Sequence, residues 1–352
     1  MQNGVASPDR FLSVNDTIAM KAIAILCMLA HHLWTFPERI AGGPLQSLLT
    51  VSSLPLTVHF GVFAKICVSI FFFLGGYGLY KKYFGKRYNI AERLKKLYFA
   101  YWKVFVIFVP IGFIFFSNQT AYCQDADVYS AFSQFSVKEL LLNFSGISST
   151  YNKEWWFLIN YAALLVLFPL IRISVNRLSA LDNVFIIIVL SIALTRFHYA
   201  IPHAACFWMG AVVARNGLFD KLSDFLKAKK LLNPIFDTII WIAVIFLRRY
   251  SSGVYLDIFF VPFLTLASID FINRLSILKK SLSALGKQST NMWLTHTFFC
   301  YYFGVTATIV AAPRYAIQAF IILLAMSYAA SVLVEKFWKR IRSIKMTKSW
   351  RT

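Results

Sequence analysis

Charge is what this sequence has least of. Asp, Glu, Lys and Arg make up only 14% of its 352 residues, against about 25% in an ordinary soluble domain. Acidic residues are scarcer still, 15 against 36 Lys plus Arg. Only five cysteines are present, at positions 27, 67, 123, 206 and 300, with no C-x-x-C pair and no histidine at ligand spacing. That pattern excludes a disulfide framework and gives no expectation of a metal. The first residues, MQNGVASPDRFLSVND, lack a basic segment leading into a short apolar run with a small-residue cleavage site. The first apolar segment is therefore expected to be retained.

Apolar side chains are abundant, at 59% of residues with 17% aromatic, and mean hydropathy is +0.62. They fall in repeated blocks of roughly 17–25 residues, the length that crosses about 30 Å of hydrocarbon at 1.5 Å per residue. The expected fold is an all-α polytopic membrane protein with about ten transmembrane helices, near 16–36, 56–80, 97–117, 155–171, 184–200, 201–214, 235–250, 254–272, 289–311 and 315–337. A net charge of +21 on a soluble protein would point to nucleic acid. In a membrane protein cations mark cytoplasmic loops instead, so the partner expected is membrane lipid and not nucleic acid.

The loop KKYFGKRYNIAERLKK carries seven cations, 215–230 five, 274–287 four and the tail from Lys336 seven. The alternate loops are poorer; the longest, about 118–154, has only Lys138 and Lys153. With an even span count both termini are expected in the cytoplasm, and Trp34, Trp155 and Trp156 then fall at the outer interface. No internal repeat or long linker divides the chain, so one domain over 1–352 is expected, with its core at about 13–337 and a basic tail at 338–352.

An ionisable side chain inside a span must be paired or functional. Ser13-Val-Asn-Asp16 resembles a capping box opening the first helix. Lys21 and His32 lie eleven residues apart, which at about 100° per residue puts both on one face, about 16.5 Å apart. Lys21 can equally snorkel to the headgroups. A neutral imidazole such as His32 can take a proton from a hydroxyl or carry an acyl group itself. His31 points about 100° away and is a neighbour or back-up. Lys65 lies inside the second span and needs a partner or a cavity. Gly75-Gly76-Tyr77-Gly78 can admit a ligand or merely close helix packing. Trp156 and Asn160 in the fourth span and His296 with Asn291 in the ninth are substrate or structural candidates.

Taken together, Lys21 to His32, FFFLGGYGLY ending at Tyr80, the basic run Arg93 to Lys96, WWFL at 155–158 and LGKQSTNMWLTHTFF at 285–299 resemble, in order and spacing, the membrane acyltransferase-3 family. The resemblance covers about residues 13–337. It implies an acyl-CoA-dependent O-acyltransferase of the bacterial inner membrane that moves an acetyl or similar group onto an extracytoplasmic polysaccharide or lipid-linked glycan. It implies His32 as general base or acyl carrier, with Lys21 standing where the family has arginine and the bidentate fork therefore lost. The family's Arg-x-x-Arg appears as Arg93-x-x-Lys96, and its Ser-Gly-Tyr as Gly75-Gly76-Tyr77. Arg93, Lys95, Lys96 and Tyr77 are thus the residues expected to hold acetyl-CoA or another acyl-CoA. A transporter or flippase of a glycolipid or small solute is the alternative, since intramembrane Lys and His also mark translocation paths.

Overall fold

In the computed structural model the described residues are 11–51, 53–117, 131–195, 197, 200–250 and 254–349, with side chains described through Ser343 except at Tyr250. Their helices are α1 (Val14–Trp34), α2 (Leu56–Ala64), α3 (Ile66–Lys82), α4 (Ile90–Phe115), α5 (Val137–Phe144), α6 (Trp156–Arg177), α7 (Ala180–Thr195), α8 (Ile201–Asn216), α9 (Leu218–Ala228), α10 (Pro234–Tyr250), α11 (Asp257–Asn273), α12 (Ser276–Thr297), α13 (Gly304–Ala311) and α14 (Ala316–Ser349). The one sheet among them is a two-stranded hairpin, β1 (Thr50–Val51) against β2 (Leu54–Pro55). The chain is an all-α, multi-pass membrane protein.

Among the described residues six helical segments are long and apolar enough to cross a membrane: Val14–Trp34, Leu56–Lys82, Ile90–Phe115, Lys153–Arg177, Val254–Asn273 and Ala316–Ser343. Three of the other four expected spans fall short of that length, and the ninth meets it only as a bent pair of helices, which would make a seventh span. The helices α7 and α8 have 16 residues each and α10 has 17, a rise of about 24–26 Å against a hydrocarbon core of about 30 Å. The expected ninth span is bent by 87° between Ser276–Tyr302 and Gly304–Ala311. A π turn over Phe298–Tyr302 precedes the bend. Arg196 and His198, which interrupted the expected fifth and sixth spans, lie outside the described residues, as do 118–130 of the long loop.

The fold divides into two compact units, each assembled from separated stretches of chain. The first takes residues up to Met28, Val62–Leu94 and Asn160–Lys287; the second takes Leu29–Gly61, Lys95–Ile159 and the chain from Gln288 onward.

In the first unit, Ser13 and Asp16 form the capping box that their spacing implied. The Ser13 backbone N–H and hydroxyl both donate to Asp16 Oδ2, at 2.9 and 2.6 Å, and the Asp16 N–H donates to Ser13 Oγ at 3.2 Å. Lys279 reaches Asp16 Oδ1 at 2.7 Å. A second box opens α7, where the Ser179 hydroxyl and N–H donate to Asp182 and hold its carboxyl below the usual range. The helices α3 and α8 cross at glycine. A Cβ on Gly76 would lie 1.8 Å from the Phe207 carbonyl oxygen, and one on Gly210 would lie 2.1 Å from that of Phe73. The Gly-rich segment is therefore a helix-packing device here, as small residues are elsewhere in membranes.

In the second unit an aromatic cluster fills the space beside the π turn. Trp155 meets Tyr101 edge-on at 4.9 Å, and Phe298 packs on Phe108 at 5.1 Å and on Phe303 at 5.0 Å. A buried polar link crosses this apolar region: Lys103 Nζ and Asn291 Nδ2 both donate to Glu335 Oε1, at 3.0 and 3.1 Å. Asn291 is thereby accounted for as a structural partner. Arg314 gathers the loop after α1, donating to the carbonyls of Ala41, Gly43 and Pro44.

The glycine contacts set a discriminating test. Gly76→Ala should destabilise the protein by about 1–3 kcal/mol through overpacking. Gly78, whose added Cβ would meet nothing within 4 Å, should tolerate alanine with no loss. Thermal unfolding of the two variants in detergent reads the difference.

Candidate functional site

The last turn of α1 carries His31 and His32 side by side in the second unit. His31 is tied down: its Nδ1 lies 2.9 Å from the Gly61 carbonyl oxygen and 2.9 Å from Thr35 Oγ1. A carbonyl only accepts, so the proton sits on Nδ1. His32 is half-buried and faces three rings. Its centroid is 5.2 Å from that of His31, 5.0 Å from His296 and 5.8 Å from Tyr301. The Tyr301 hydroxyl donates to the His32 backbone carbonyl, which fixes the ring's height on the helix.

His296 is fully buried on α12, two residues before the π segment. Its Nδ1 lies 3.1 Å from the Met292 carbonyl oxygen and 2.9 Å from that of Trp293. Both are acceptors, so Nδ1 must carry the proton and Nε2 must hold the lone pair. Nε2 is buried with no hydrogen-bond partner among the described residues. A lone pair kept from water without a donor costs about 1–3 kcal/mol, so the position is open to a hydrogen-bond donor. The sequence marked His32 and His31 as catalytic candidates and His296 as a substrate or structural one; the structure puts the His32 ring in contact with both of the others.

Next to this pair stands a second polar group. Arg39, in the 3-10 turn Pro37–Arg39, is 4% exposed, with its guanidinium carbon 3.8 Å from the Phe36 ring centroid and 5.7 Å from that of Tyr301. Its Nη1 is 3.8 Å from Glu154 Oε1. Glu154 in turn accepts from the Tyr302 hydroxyl at 2.9 Å, and the Lys153 N–H donates to the same phenol oxygen at 2.8 Å. Asn152 and Thr297 exchange hydrogen bonds at 2.8 and 3.1 Å, and Trp155 Nε1 donates to the Leu294 carbonyl at 3.1 Å. The segment before α6 is thus pinned to the α12 turns that hold His296.

In the first unit Lys21 is half-buried on α1, with no hydrogen bond or ion pair among the described residues. Lys65 sits at the break between α2 and α3 and is half-buried as well. The break leaves the Val62 and Phe63 carbonyls without helix donors, and Arg248 Nη1 supplies them, at 3.1 and 2.9 Å. The same guanidinium pairs with Asp257, Nε to Oδ1 at 2.8 Å and Nη2 to Oδ2 at 3.1 Å. Asp257 Oδ2 also accepts the Ser69 hydroxyl at 2.6 Å, and His203 Nδ1 lies 2.7 Å from Ser69 Oγ. Since the Ser69 proton goes to Asp257, His203 donates to Ser69. That is the reverse of a nucleophile and its base, so this knot reads as a clamp on the broken helix.

The remaining candidates are dispersed. On the first turns of α4, Arg93 is half-buried with its guanidinium 5.1 Å from the Tyr83 ring, and Lys95 and Lys96 are exposed. Tyr77 is buried between Phe73 and Phe219, at 6.2 and 5.7 Å. Trp156 is half-buried edge-on to Phe157 at 6.2 Å, and Asn160 is half-buried. Sequence reasoning missed Arg39, Glu154, Tyr301 and Tyr302, and also Arg248 and Asp257. One signal was available: Arg39 is the sole cation between Pro37 and Thr57.

Removing Arg248 would leave Asp257 charged and uncompensated inside the helices. Arg248→Met is expected to cost about 3–5 kcal/mol, while Ser69→Ala, which removes a neutral donor only, should cost about 1–3 kcal/mol. Unfolding midpoints of the two variants test that order.

Comparison with known families fits this arrangement into a wider group. A family model described as an acyltransferase domain matches residues 15–336. No match was found among curated proteins or solved structures. The matched stretch runs from the start of α1 to the middle of α14 and includes every residue of the histidine cluster, and the chain belongs to the acyltransferase-3 family.

Proposed function

We propose that this membrane acyltransferase moves an acetyl or similar acyl group from cytosolic acyl-CoA to a hydroxyl of an extracytoplasmic polysaccharide or lipid-linked glycan. The proposed setting is a bacterial inner membrane, with both termini in the cytoplasm. The observation that carries the reading is the pair His32 and His296, with ring centroids 5.0 Å apart. One member of that pair is locked in the tautomer that leaves a buried lone pair. Acyl transfer to an alcohol needs a group that takes the hydroxyl proton and a group that steadies it.

In the direct route His32 removes the acceptor's proton as the alcohol oxygen attacks the thioester carbon. The C–O bond forms, the C–S bond breaks, and the CoA thiolate takes the proton back from the imidazolium. In the carrier route a His32 nitrogen attacks first, giving an acyl-imidazole and CoA thiol. The alcohol then displaces the imidazole, its proton passing to His296 Nε2 and on to the departing His32 nitrogen. Both routes end with one ester, one thiol and two neutral imidazoles. Arg93, Lys95 and Lys96 lie within the first turns of α4, where cations and the positive helix end favour phosphate. They are the groups assigned to the CoA phosphates. Tyr77, buried between aromatic rings, would act on the donor only through the packing around it. Lys21 supplies a cation on the helix that bears His32.

Surface-glycan acylation at matched membrane levels tests the assignment. His32→Ala should lower it by about 10²- to 10⁴-fold, and His296→Gln should lower it by a similar order. Retained acylation in His32→Ala would remove the reading. Lys21→Arg should keep or raise activity and Lys21→Met should lower it; wild-type rates in the Met variant would mean that Lys21 only snorkels.

A further inference from the structure

A buried arginine normally spends its N–H groups. Arg39 does not: its Nε and Nη2 are both buried without a hydrogen-bond partner among the described residues. Its one nearby buried carboxylate, Glu154, lies on the Nη1 side at 3.8 Å. Glu38 Oε1 is 4.0 Å from Nε, too far for a hydrogen bond, and its side chain is 51% exposed. The Tyr301 hydroxyl gives its proton to the His32 carbonyl and offers its oxygen to the guanidinium, while Nε and Nη2 still have no partner within hydrogen-bond geometry among the described residues.

Nε and Nη2 form one edge of the planar guanidinium, with two N–H bonds running parallel. That edge matches the paired oxygens of a carboxylate or phosphate. The group is held rigidly by Phe36 on one face, by the 3-10 turn beneath it and by Glu154 at its far nitrogen. It stands next to the histidine pair through two shared rings: Phe36 meets His31 at 5.2 Å and Tyr301 meets His32 at 5.8 Å. A ligand gripped at Arg39 would place its neighbouring atoms over the imidazoles.

We infer that the Nε/Nη2 edge of Arg39 is a binding site for an oxyanion, a carboxylate or a phosphate, carried by the acceptor sugar close to the hydroxyl that is acylated. This deepens the acyl-transfer reading and rests on it for the identity of the acceptor. The acceptor class is an acidic or phosphorylated sugar, and Glu154 is the internal anion that competes for the same guanidinium.

The test titrates the purified full-length protein with glucuronate, glucose 6-phosphate, glycerol 3-phosphate and glucose, following the thermal unfolding midpoint. Glucuronate or glucose 6-phosphate should raise it in the wild type and glucose should not. Arg39→Lys, which keeps the charge but loses the parallel edge, should weaken that apparent affinity by about ten- to a hundredfold, and Arg39→Met should abolish it. Glu154→Gln, which keeps an acceptor for Tyr302 but removes the competing charge, should tighten it. Equal binding of glucose, wild-type affinity in Arg39→Lys, or weaker binding in Glu154→Gln would each overturn the site. Glycerol 3-phosphate binding as tightly as either sugar would overturn the assignment to an acceptor sugar. Because binding is read without turnover, the two proposals fail separately: His32→Ala retaining acylation removes the chemistry and leaves the oxyanion site standing.

Discussion

A histidine that satisfies one nitrogen within its own helix has no choice about the other. Nδ1 of His296 is committed to the carbonyls of Met292 and Trp293, so the buried Nε2 can only accept. In water this would matter little, because solvent donors would fill the position. Inside an apolar bundle an unmet acceptor keeps its full desolvation cost until a hydrogen-bond donor reaches it. The function proposed for the second unit rests on this one constraint, since it leaves that nitrogen able only to accept.

The same rule explains the contrast between the two polar centres. In the first unit each group of the Arg248, Asp257, Ser69 and His203 knot bonds to another, and the guanidinium also meets the carbonyls exposed by the α2–α3 break. A knot closed in this way stabilises a distorted helix and offers nothing to a ligand. In the second unit the polar groups are arranged but incompletely matched. Glu154 has its Tyr302 donor and Asn152 has Thr297, yet the Nε and Nη2 atoms of Arg39 and the far nitrogen of His296 are buried and not met by described groups. Matched polar groups fix a fold, while unmatched ones keep a cost that a partner can offset.

The bend after His296 serves both purposes. A π turn over Phe298–Tyr302 adds a residue to the helix and swings Tyr301 and Tyr302 to different neighbours. One reaches the His32 carbonyl and the other reaches Glu154. A regular helix at this point would set the two phenols about 100° apart on an undistorted surface and leave the chain straight. Single-turn π distortions are common where side chains must be aimed.

Much of the fold was legible before any coordinates. Long apolar runs in a chain with few charges mean helices in a membrane, because backbone groups in hydrocarbon have to bond internally, and the Ser13–Asp16 cap could be read from spacing alone. His32 stood out because an imidazole in a span has no packing purpose. What the sequence alone determined was composition and local period: the class of fold, the start of α1 and the histidines worth watching. Tertiary structure decided the rest. Of the ten expected spans, three are helices of 16 or 17 described residues and one is a bent pair, because helix length is set by where breaks and neighbours fall. Gly76 proved to be a contact point of α3 and α8. Arg39, Glu154 and Tyr301 joined the histidines although up to 262 positions separate Arg39 from Tyr301, and hydrophobic period carries no information about pairing at that range. Which nitrogen of His296 keeps its lone pair is settled by carbonyls three and four residues back on its own helix, while the ring it faces, His32, comes from another helix, and only the folded chain brings that ring beside it.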